Sequence, residues 1–171
     1  GGEKKGKLKI IKNSLDNVIK ASDITSEYKG CILLIGSFLT PQIYKKAEEI
    51  GVIGIITGGF GYNSLTKILG YSLGVAITGT ESGMTLIITE GFGKINMSKK
   101  TYNILSENHN KIISINGSTQ IRAGVLRPEI FIFNENKNIK EILFDENKLI
   151  LAKGSKVRII REPNFGKLGT I

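Results

Sequence analysis

The most restrictive feature of the sequence is a pair of continuous apolar runs separated by a segment with helical spacing. "CILLIG" begins at Cys31 and "VIGIIT" begins at Val52. Runs without polar alternation are typical of strands that are buried on both faces of a parallel sheet. Between them, Thr40 can cap a helix, Pro41 suits its first position and Gly51 can end it. This order predicts a parallel pair of strands joined by a crossover helix.

The alternation of strands and helices continues along the chain. "SLTKIL" predicts a second helix, and Ser98 can cap a third. Further strands are predicted at "GVAIT", "MTLIIT", "KIISI" and "EIFIF". These elements predict an α/β domain from about Lys29 to Phe133, with a mostly parallel sheet and flanking helices. One sheet is expected to contain the buried runs at residues 32–35, 52–57, 75–78, 84–89 and 111–115.

The segments on either side of this domain are less regular. At the start, we expect an entry strand at about Lys7 to Ile11 and then irregular chain. After the domain, "NENKNIKE" is typical of a linker, and the remaining sequence has no helical period and favours short strands. The predicted parts are therefore residues 1–28 as a lead-in, 29–133 as the α/β domain and 134–171 as a linker and β segment.

The balance of charges bears on the partner of the protein. The chain has 24 Lys and Arg against 15 Asp and Glu, a net charge of +9. Such an excess favours acidic partners such as nucleic acid. Most of it is spread along the chain, and it is locally dense only from Lys153 to Ile171, where Glu162 is the single acid. The C-terminal segment is therefore the candidate for contact with a polyanion.

Several other functional classes find little support in the sequence. No apolar run approaches the ~20 residues of a membrane span, and the charged opening "GGEKKGKLKI" has no apolar signal segment. We therefore expect a cytoplasmic protein without a membrane partner. Cys31 and His109 are the only residues of their types, so the sequence offers no internal disulfide and no His/Cys metal cluster. We predict no cofactor, no metal and no catalytic residue.

Glycines recur where the predicted strands end. The predicted strands end in "IGS", "TGG", "TGT", "TEG" and "NGS", each of which contains glycine together with a small hydroxyl or amide residue. Parallel strands gather their carboxyl ends at one edge, where α/β sheets usually bind ligands, and glycine permits close approach. The alternative is that short connections need glycine in any case. The candidate ligand residues are Thr57, Gly58, Thr78, Glu90 and the loop lysine Lys94.

"INGSTQIRAGVLRPEI" is a second candidate site. Its two arginines lie five residues apart in a segment too rich in glycine and polar residues for a helix. Arginine binds carboxylates and phosphates with two parallel hydrogen bonds. The alternative is a long connection that is held by an ion pair to Glu129 or Glu90. Candidate ligand residues here are Thr119, Gln120, Arg122 and Arg127.

The tail "KGSKVRIIREPNFGKLGTI" resembles the KOW motif of ribosomal proteins and transcription-elongation factors. The matching residues are Gly154, Val157, Ile159, Phe165, Gly166, Gly169 and Ile171, whereas Glu162-Pro163-Asn164 departs from the usual turn of the motif. The resemblance implies a small SH3-like β-barrel, incomplete within this chain, that binds RNA or docks on protein. Phosphate contacts would come from Lys153, Lys156, Arg158, Arg161 and Lys167. The alternative is a structural barrel with solvated charges.

The central region resembles a family of bacterial KOW-motif proteins, which offers no activity to transfer. The resembling pieces are "AEEIGVIGIITGG", "LGVAITGTE", "TLIITEGFGKINMS" and "INGSTQIRAGVLRPEI". The βαβ rhythm is also similar to that of swivelling β/β/α domains. The leading hypothesis is a non-catalytic module that contacts RNA or the ribosome or transcription machinery. A domain or enzyme that binds a small anion at the glycine-rich edge is one alternative, and a protein-interaction domain of a larger chain is another.

Overall fold

The computed structural model describes residues 1–11, 15, 19–70, 76–77, 83–120, 124–133, 150–161, 163–164 and 167–171. The chain forms two compact units, Gly1–Phe133 and Asn134–Ile171. The boundary between them coincides with the start of the segment that the sequence assigns to a linker.

The first unit is an α/β domain, as the sequence predicts. Its strands are β1 (Glu3–Ile10), β2 (Cys31–Ile35), β3 (Gly54–Phe60), β4 (Ala76–Ile77), β5 (Thr85–Phe92), β6 (Ile112–Asn116), β7 (Thr119–Gln120) and β8 (Glu129–Ile132). Its helices are α1 (Pro41–Ile50), α2 (Tyr62–Leu69) and α3 (Lys99–Ser106), with short 3-10 turns at Ala21–Asp23 and Ser26–Tyr28. Nowhere in the described ranges is a helix long and apolar enough to cross a membrane.

The predicted caps are confirmed at two helices. The Thr40 hydroxyl accepts a hydrogen bond from the Ile43 amide at 3.4 Å, and Pro41 begins α1. Gly51 ends α1 with a φ of 87°, in the left-handed region that favours glycine. The Ser98 hydroxyl accepts from the Thr101 amide at 3.2 Å at the start of α3. Local sequence signals therefore position the helices that cover the sheet.

Six strands form one mostly parallel sheet in the order β5-β3-β2-β1-β6-β8. The pairs β3/β5, β2/β3 and β1/β2 are parallel, which confirms the predicted parallel pair around α1. The pairs β1/β6 and β6/β8 are antiparallel. The direction of the sheet thus changes at β1, which is the last of four parallel strands.

Two expectations about strands differ from the structure. The run at residues 75–78 was expected in the main sheet, but β4 pairs instead with β7 in a separate two-stranded antiparallel ribbon. Residues 1–28 were expected to be a lead-in before the domain, but β1 lies inside the sheet, between β2 and β6. Lysines alternate with apolar residues in the second half of β1, and this pattern does not distinguish an edge strand from one that pairs on both sides.

Apolar side chains bury both faces of the sheet. On one face, α1 and α2 contribute Tyr44, Ala47 and Leu65 to a cluster with Leu33 and Ile35. On the other face, α3 contributes its own residues to a second cluster, whose members are Leu8, Ile32, Leu34, Ile56, Ile87, Met97, Tyr102, Leu105, Ile113 and Ile115. Adjacent residues of a strand point to opposite faces, which explains why the continuous run in β2 supplies both clusters.

The described part of the second unit is an antiparallel hairpin of β9 (Lys156–Arg158) and β10 (Leu168–Thr170). Its hydrogen bonds extend beyond the strands, from the Ile159 amide to the Lys167 carbonyl at 2.9 Å. Several apolar side chains of the unit are exposed: Ile150, Leu151, Ile160, Leu168 and Ile171. The predicted short strands are present, and the described residues form a small antiparallel sheet.

The position of β1 predicts a large effect at Leu8. This side chain is 0% exposed and lies opposite Ile32 of β2. Truncation to alanine leaves a cavity beneath α3, so L8A should lower the free energy of unfolding by about 2–5 kcal/mol. Chemical denaturation measures this change. I104A, at a residue of α3 that is 48% exposed, is the control and should change stability by less than about 0.5 kcal/mol. Equal, small effects of the two variants would place β1 outside the sheet.

Candidate functional site

Three of the predicted glycine-rich segments meet at one edge of the sheet. Because β2, β3 and β5 are parallel, residues 36–37, 57–59 and 89–91 lie at or near the carboxyl ends of neighbouring strands. β3 and β5 continue through their segments and end at Phe60 and Phe92. The glycines are therefore parts of two extended strands as well as of turns.

The other two glycine-rich segments, "TGT" and "NGS", are not shown at this edge. β6 runs antiparallel to β1, so its last residue, Asn116, pairs with Glu3, the first residue of β1. The following Gly117 lies against Gly1 and against Thr85 at the start of β5. "NGS" is thus at the opposite edge, and the assumption that all these strands are parallel was wrong for β6. Thr78, in "TGT", lies outside the described residues.

The glycines at the carboxyl edge are covered by the chain itself. A Cβ atom on Gly58 would collide with the Met97 amide nitrogen and the Ile95 carbonyl oxygen, and one on Gly59 would collide with the Gly93 carbonyl oxygen. The Met97 amide donates to the Gly36 carbonyl at 2.7 Å, which fixes the same loop over β2. Close approach is the reason for glycine here, but the approaching group is the loop at residues 93–97 and not a ligand.

The candidate hydroxyl groups of this edge are also engaged internally. Thr57 is fully buried, and its hydroxyl donates to the Ser37 carbonyl at 2.7 Å. The hydroxyl of Thr89 donates to the Thr57 carbonyl at 3.2 Å. Burial raises the pKa of Tyr102, whose ring lies against Gly36, above its usual value. These groups connect strand ends to each other and leave no described hydroxyl of Thr57 or Thr89 directed at a ligand.

Glu90 and Lys94 have different surroundings from those of a phosphate loop. A carboxylate oxygen of Glu90 accepts a hydrogen bond from the Ser98 amide at 2.8 Å, at the start of α3. A carboxylate at a helix N-terminus is electrostatically stabilising and occupies the place an anion would take. Lys94 is exposed, with its ammonium 5.8 Å from the centroid of the Phe38 ring. The two residues thus stabilise the covering loop.

The described residues on either side of positions 121–123 pair with each other beside β5, and we call them the arm. Gln120 and Leu126 exchange backbone hydrogen bonds of 3.0 and 2.9 Å, and the Thr119 hydroxyl donates to the Leu126 carbonyl at 3.2 Å. β7, at the base of the arm, also pairs with β4. Arg122 lies outside the described residues.

A cleft of about 530 Å³ separates this arm from β5 and α3. It brings together two of the predicted residues, Thr119 and Arg127, with the hydroxyl-bearing Thr89 and Thr101. Thr101 bonds to the Ser98 hydroxyl at 2.8 Å, so its polar atom is already used. Within the described ranges, the exposed Arg127 forms no ion pair with Glu90 or Glu129. The guanidinium is therefore the polar group of the cleft that is available to an anion.

The five cations of the C-terminal segment are all exposed: Lys153, Lys156, Arg158, Arg161 and Lys167. Lys156 and Arg158 lie on one face of β9, and the half-buried Val157 lies on the other. The Lys167 ammonium donates to the Asn164 amide oxygen at 2.8 Å, across the turn of the hairpin. We call residues 153–171 the basic hairpin.

The structure adds a surface that the sequence analysis did not identify. β6 and β8 extend the sheet beyond α1 and α2. On that side Ile112, Phe131 and Phe133, which directly follows β8, are exposed, whereas Ser114 between them is buried. The lysines of β1 adjoin them. We call this surface the open face, which consists of Lys5, Lys7, Ile112, Ser114, Phe131 and Phe133. The signals were the alternations in "KKGKLK" and "FIF", but only the order of the strands shows that they adjoin.

No protein-family model, curated protein or solved structure matches the chain. Among the residues that the structure describes, no group of His, Cys, Asp and Glu has the geometry to hold a metal ion. The resemblance to KOW-motif proteins therefore stays a prediction, and the proposals for function rest on geometry and charge.

The covered edge predicts that serine lowers stability at one glycine and is tolerated at another nearby. G58S should lower the free energy of unfolding by about 1–3 kcal/mol or more, because backbone atoms of residues 95–97 occupy the space that a side chain needs. G61S is the matched control. A Cβ on Gly61 would lie 3.4 Å from the nearest atom, the Ser64 hydroxyl oxygen, and serine is a preferred cap for α2. Thermal unfolding of both variants tests this difference. A neutral G58S would mean that the edge is open to ligands.

Proposed function

We propose that this protein is a non-catalytic module that contacts RNA through the basic hairpin. The observation that carries the proposal is the arrangement of Lys156 and Arg158 on one exposed face of β9. Residues two apart in a strand are separated by about 7 Å, a spacing that lets both cations reach neighbouring phosphates. Each phosphate contact releases counterions, so a short cationic strand can supply a large share of binding.

The surrounding chain supports the same proposal. Lys153, Arg161 and Lys167 are exposed on the same hairpin, and Glu162 is the single acid from residue 153 onwards. The segment is therefore cationic along its whole length, which differs from the mixed charge of α1, where Lys46 pairs with Glu49 at 3.7 Å. A uniform sign of charge suits a polyanionic partner better than a solvated surface of alternating charge.

We further propose that the basic hairpin belongs to an SH3-like barrel of the KOW type. Gly169 and Val157 are two of the residues that resemble the motif, and they lie directly opposite each other in the antiparallel pair. Exposed Ile160 and Leu168 offer apolar surface of the kind that additional strands of a barrel would cover. The likeness of the first unit to swivelling domains is a fold-level analogy and adds no function. A cytoplasmic location is in keeping with the single free thiol, Cys31.

A second candidate function is the binding of a small anion in the cleft at Arg127. It is favoured by one observation, the exposed guanidinium that has no ion-pair partner within the described ranges. Carboxylate and phosphate are the groups that arginine binds most specifically. This function is independent of the basic hairpin, and the two are separable by mutation.

The cleft predicts a ligand effect that depends on Arg127. If it binds phosphate, the thermal unfolding midpoint of the protein should rise with phosphate concentration, because a ligand of the folded state stabilises it. R127A should unfold normally without phosphate and lose that rise, and R127K should keep only part of it. K67A, which removes an exposed charge from α2, is the control for ionic effects. A rise of equal size in R127A and the original protein would exclude the cleft as the anion site.

The basic hairpin predicts a change in salt dependence. Replacing Lys156 and Arg158 together with alanine should lower the slope of log affinity against log salt by about 1.4 for single-stranded RNA or about 1.8 for duplex, since each contact contributes about 0.7–0.9. Both side chains are exposed, so the fold should be retained. Fluorescence anisotropy across a salt series measures the slope.

The charge-matched control is the double variant K99A/K100A, which removes two exposed lysines from the start of α3. It lowers the net charge by the same amount but should leave the slope near that of the original protein. Equal slopes for all three proteins, or no RNA binding at low salt, would reject nucleic-acid contact by the basic hairpin and favour a protein-interaction domain.

A further inference from the structure

The open face is formed by three strands whose residues align in rows. Lys5 of β1 pairs with Ser114 of β6, and Ser114 pairs with Phe131 of β8. In the neighbouring row, Lys7 pairs with Ile112, and Phe133 lies two residues beyond Phe131 on the same side. A basic strand thus lies at one border of the face and an aromatic strand at the other, about 10 Å apart at the usual strand spacing.

The two aromatic side chains of this face are about half exposed to solvent. Phe131 is 50% exposed and Phe133 is 55% exposed. Neighbouring residues on the same strands, such as Ile113 and Ile130, belong to or pack against the core beneath α3, so the strands are anchored while the rings are not. Because the two residues are two apart in extended chain, their Cα atoms are separated by about 7 Å. The sheet therefore presents two half-exposed rings, and the ammonium of Lys5 lies over the ring of Phe133.

The cations lie where a nucleic-acid backbone would need them. The Lys5 ammonium is 5.3 Å from the centroid of the Phe133 ring, so one lysine already spans the distance from the basic strand to the aromatic strand. Lys7 is exposed in the next row. The acids next to the face, Glu3 and Glu129, both lie in the row of Asn116 at one end. The Glu3 carboxylate extends to the middle row, where it accepts a hydrogen bond from the Ser114 hydroxyl at 2.9 Å. Lys5 and Lys7 supply the cations of the other two rows.

We propose that the open face binds single-stranded RNA, with unpaired bases stacked on Phe131 and Phe133 and phosphates held by Lys5 and Lys7. Base stacking on aromatic side chains, combined with cations along the backbone, is a general mode of single-strand recognition. Duplex RNA fits poorly because its bases are already stacked within the helix. The inference rests on the proposed function for its ligand class and adds a second, base-dependent surface to it.

Charge complementarity decides between RNA and a protein partner here. An interface that buried Phe131 and Phe133 against an apolar protein surface would also desolvate Lys5 and Lys7, and buried unpaired charges are costly. A phosphate backbone pairs with the same lysines and leaves the bases free to cover the rings. A single-stranded nucleic acid can therefore contact both the lysines and the rings.

The test is a comparison of three oligomers on the full chain. A labelled oligouridylate, the matching abasic oligomer and a duplex RNA of equal length are titrated against the original protein and F131A/F133A. We expect the double variant to lose about 5- to 150-fold in affinity for oligouridylate per ring removed. Its affinity for the abasic oligomer and for the duplex should change little. The control is I104A, which truncates a similarly exposed apolar side chain on the opposite side of the sheet.

A second variant separates stacking from general apolar contact. F131L/F133L keeps the apolar surface and removes the π-faces, so RNA stacking predicts a loss close to that of the alanine variant. If the leucine variant binds oligouridylate as the original protein does, or if F131A/F133A discriminates the oligomers unchanged, the open face is not an RNA platform. K7A should lower the salt slope by about 0.7 for single strands, and an unchanged slope would remove Lys7 from the site.

Failure of this inference is distinguishable from failure of the proposed function. The basic hairpin is tested by K156A/R158A through the salt slope, and the open face by the phenylalanine variants through dependence on bases. A normal salt slope in K156A/R158A, together with a loss in F131A/F133A, would reject the hairpin and support the open face. The reverse pattern would reject the open face alone, and absence of RNA binding by the original protein at low salt would reject both.

Discussion

The pairing of β1 on both sides is the constraint on which the rest of the first unit depends. β1 runs parallel to β2 and antiparallel to β6, so it joins a crossover-type half of the sheet to an antiparallel half. Leu8 closes the core beneath α3 from this central position. Parallel strands must be connected by crossovers, here helices, whereas antiparallel strands can have one face in water. The open face is a consequence of this change of direction, because α1 and α2 follow only the parallel strands.

The carboxyl edge of the sheet illustrates how one residue type serves different ends. Glycine next to a strand end can admit a ligand or admit another part of the chain, and both need the missing Cβ. At Gly58 and Gly59 the loop at residues 93–97 takes the space, and its Met97 amide bonds to Gly36. Buried backbone groups must be paired, so a loop that covers strand ends also satisfies them. In this domain, contacts that stabilise the fold therefore occupy the edge at which many α/β proteins bind a ligand.

The sequence predicts the elements of this fold better than their partners. Apolar runs and caps locate β2, α1, β3 and α3 because burial on both faces and helix termini leave local signals. The pairing of β1 with β6 has no such signal, since it depends on contacts between residues far apart in the chain. The candidate residues follow the same division. Arg127 and Thr119 share a cleft as their proximity in sequence suggests, but the adjacency of Lys5 and Phe133 arises only when the sheet is assembled.

The two cationic surfaces differ in what they can recognise. The basic hairpin carries charge on a strand face with no exposed aromatic ring among its described residues, so it can bind a backbone but has little means to distinguish bases. The open face has few cations and two half-exposed rings, so the binding proposed for it would depend on unpaired bases and less on salt. The contacts proposed for the two surfaces therefore differ in kind, because one would respond mainly to salt and the other to the loss of bases.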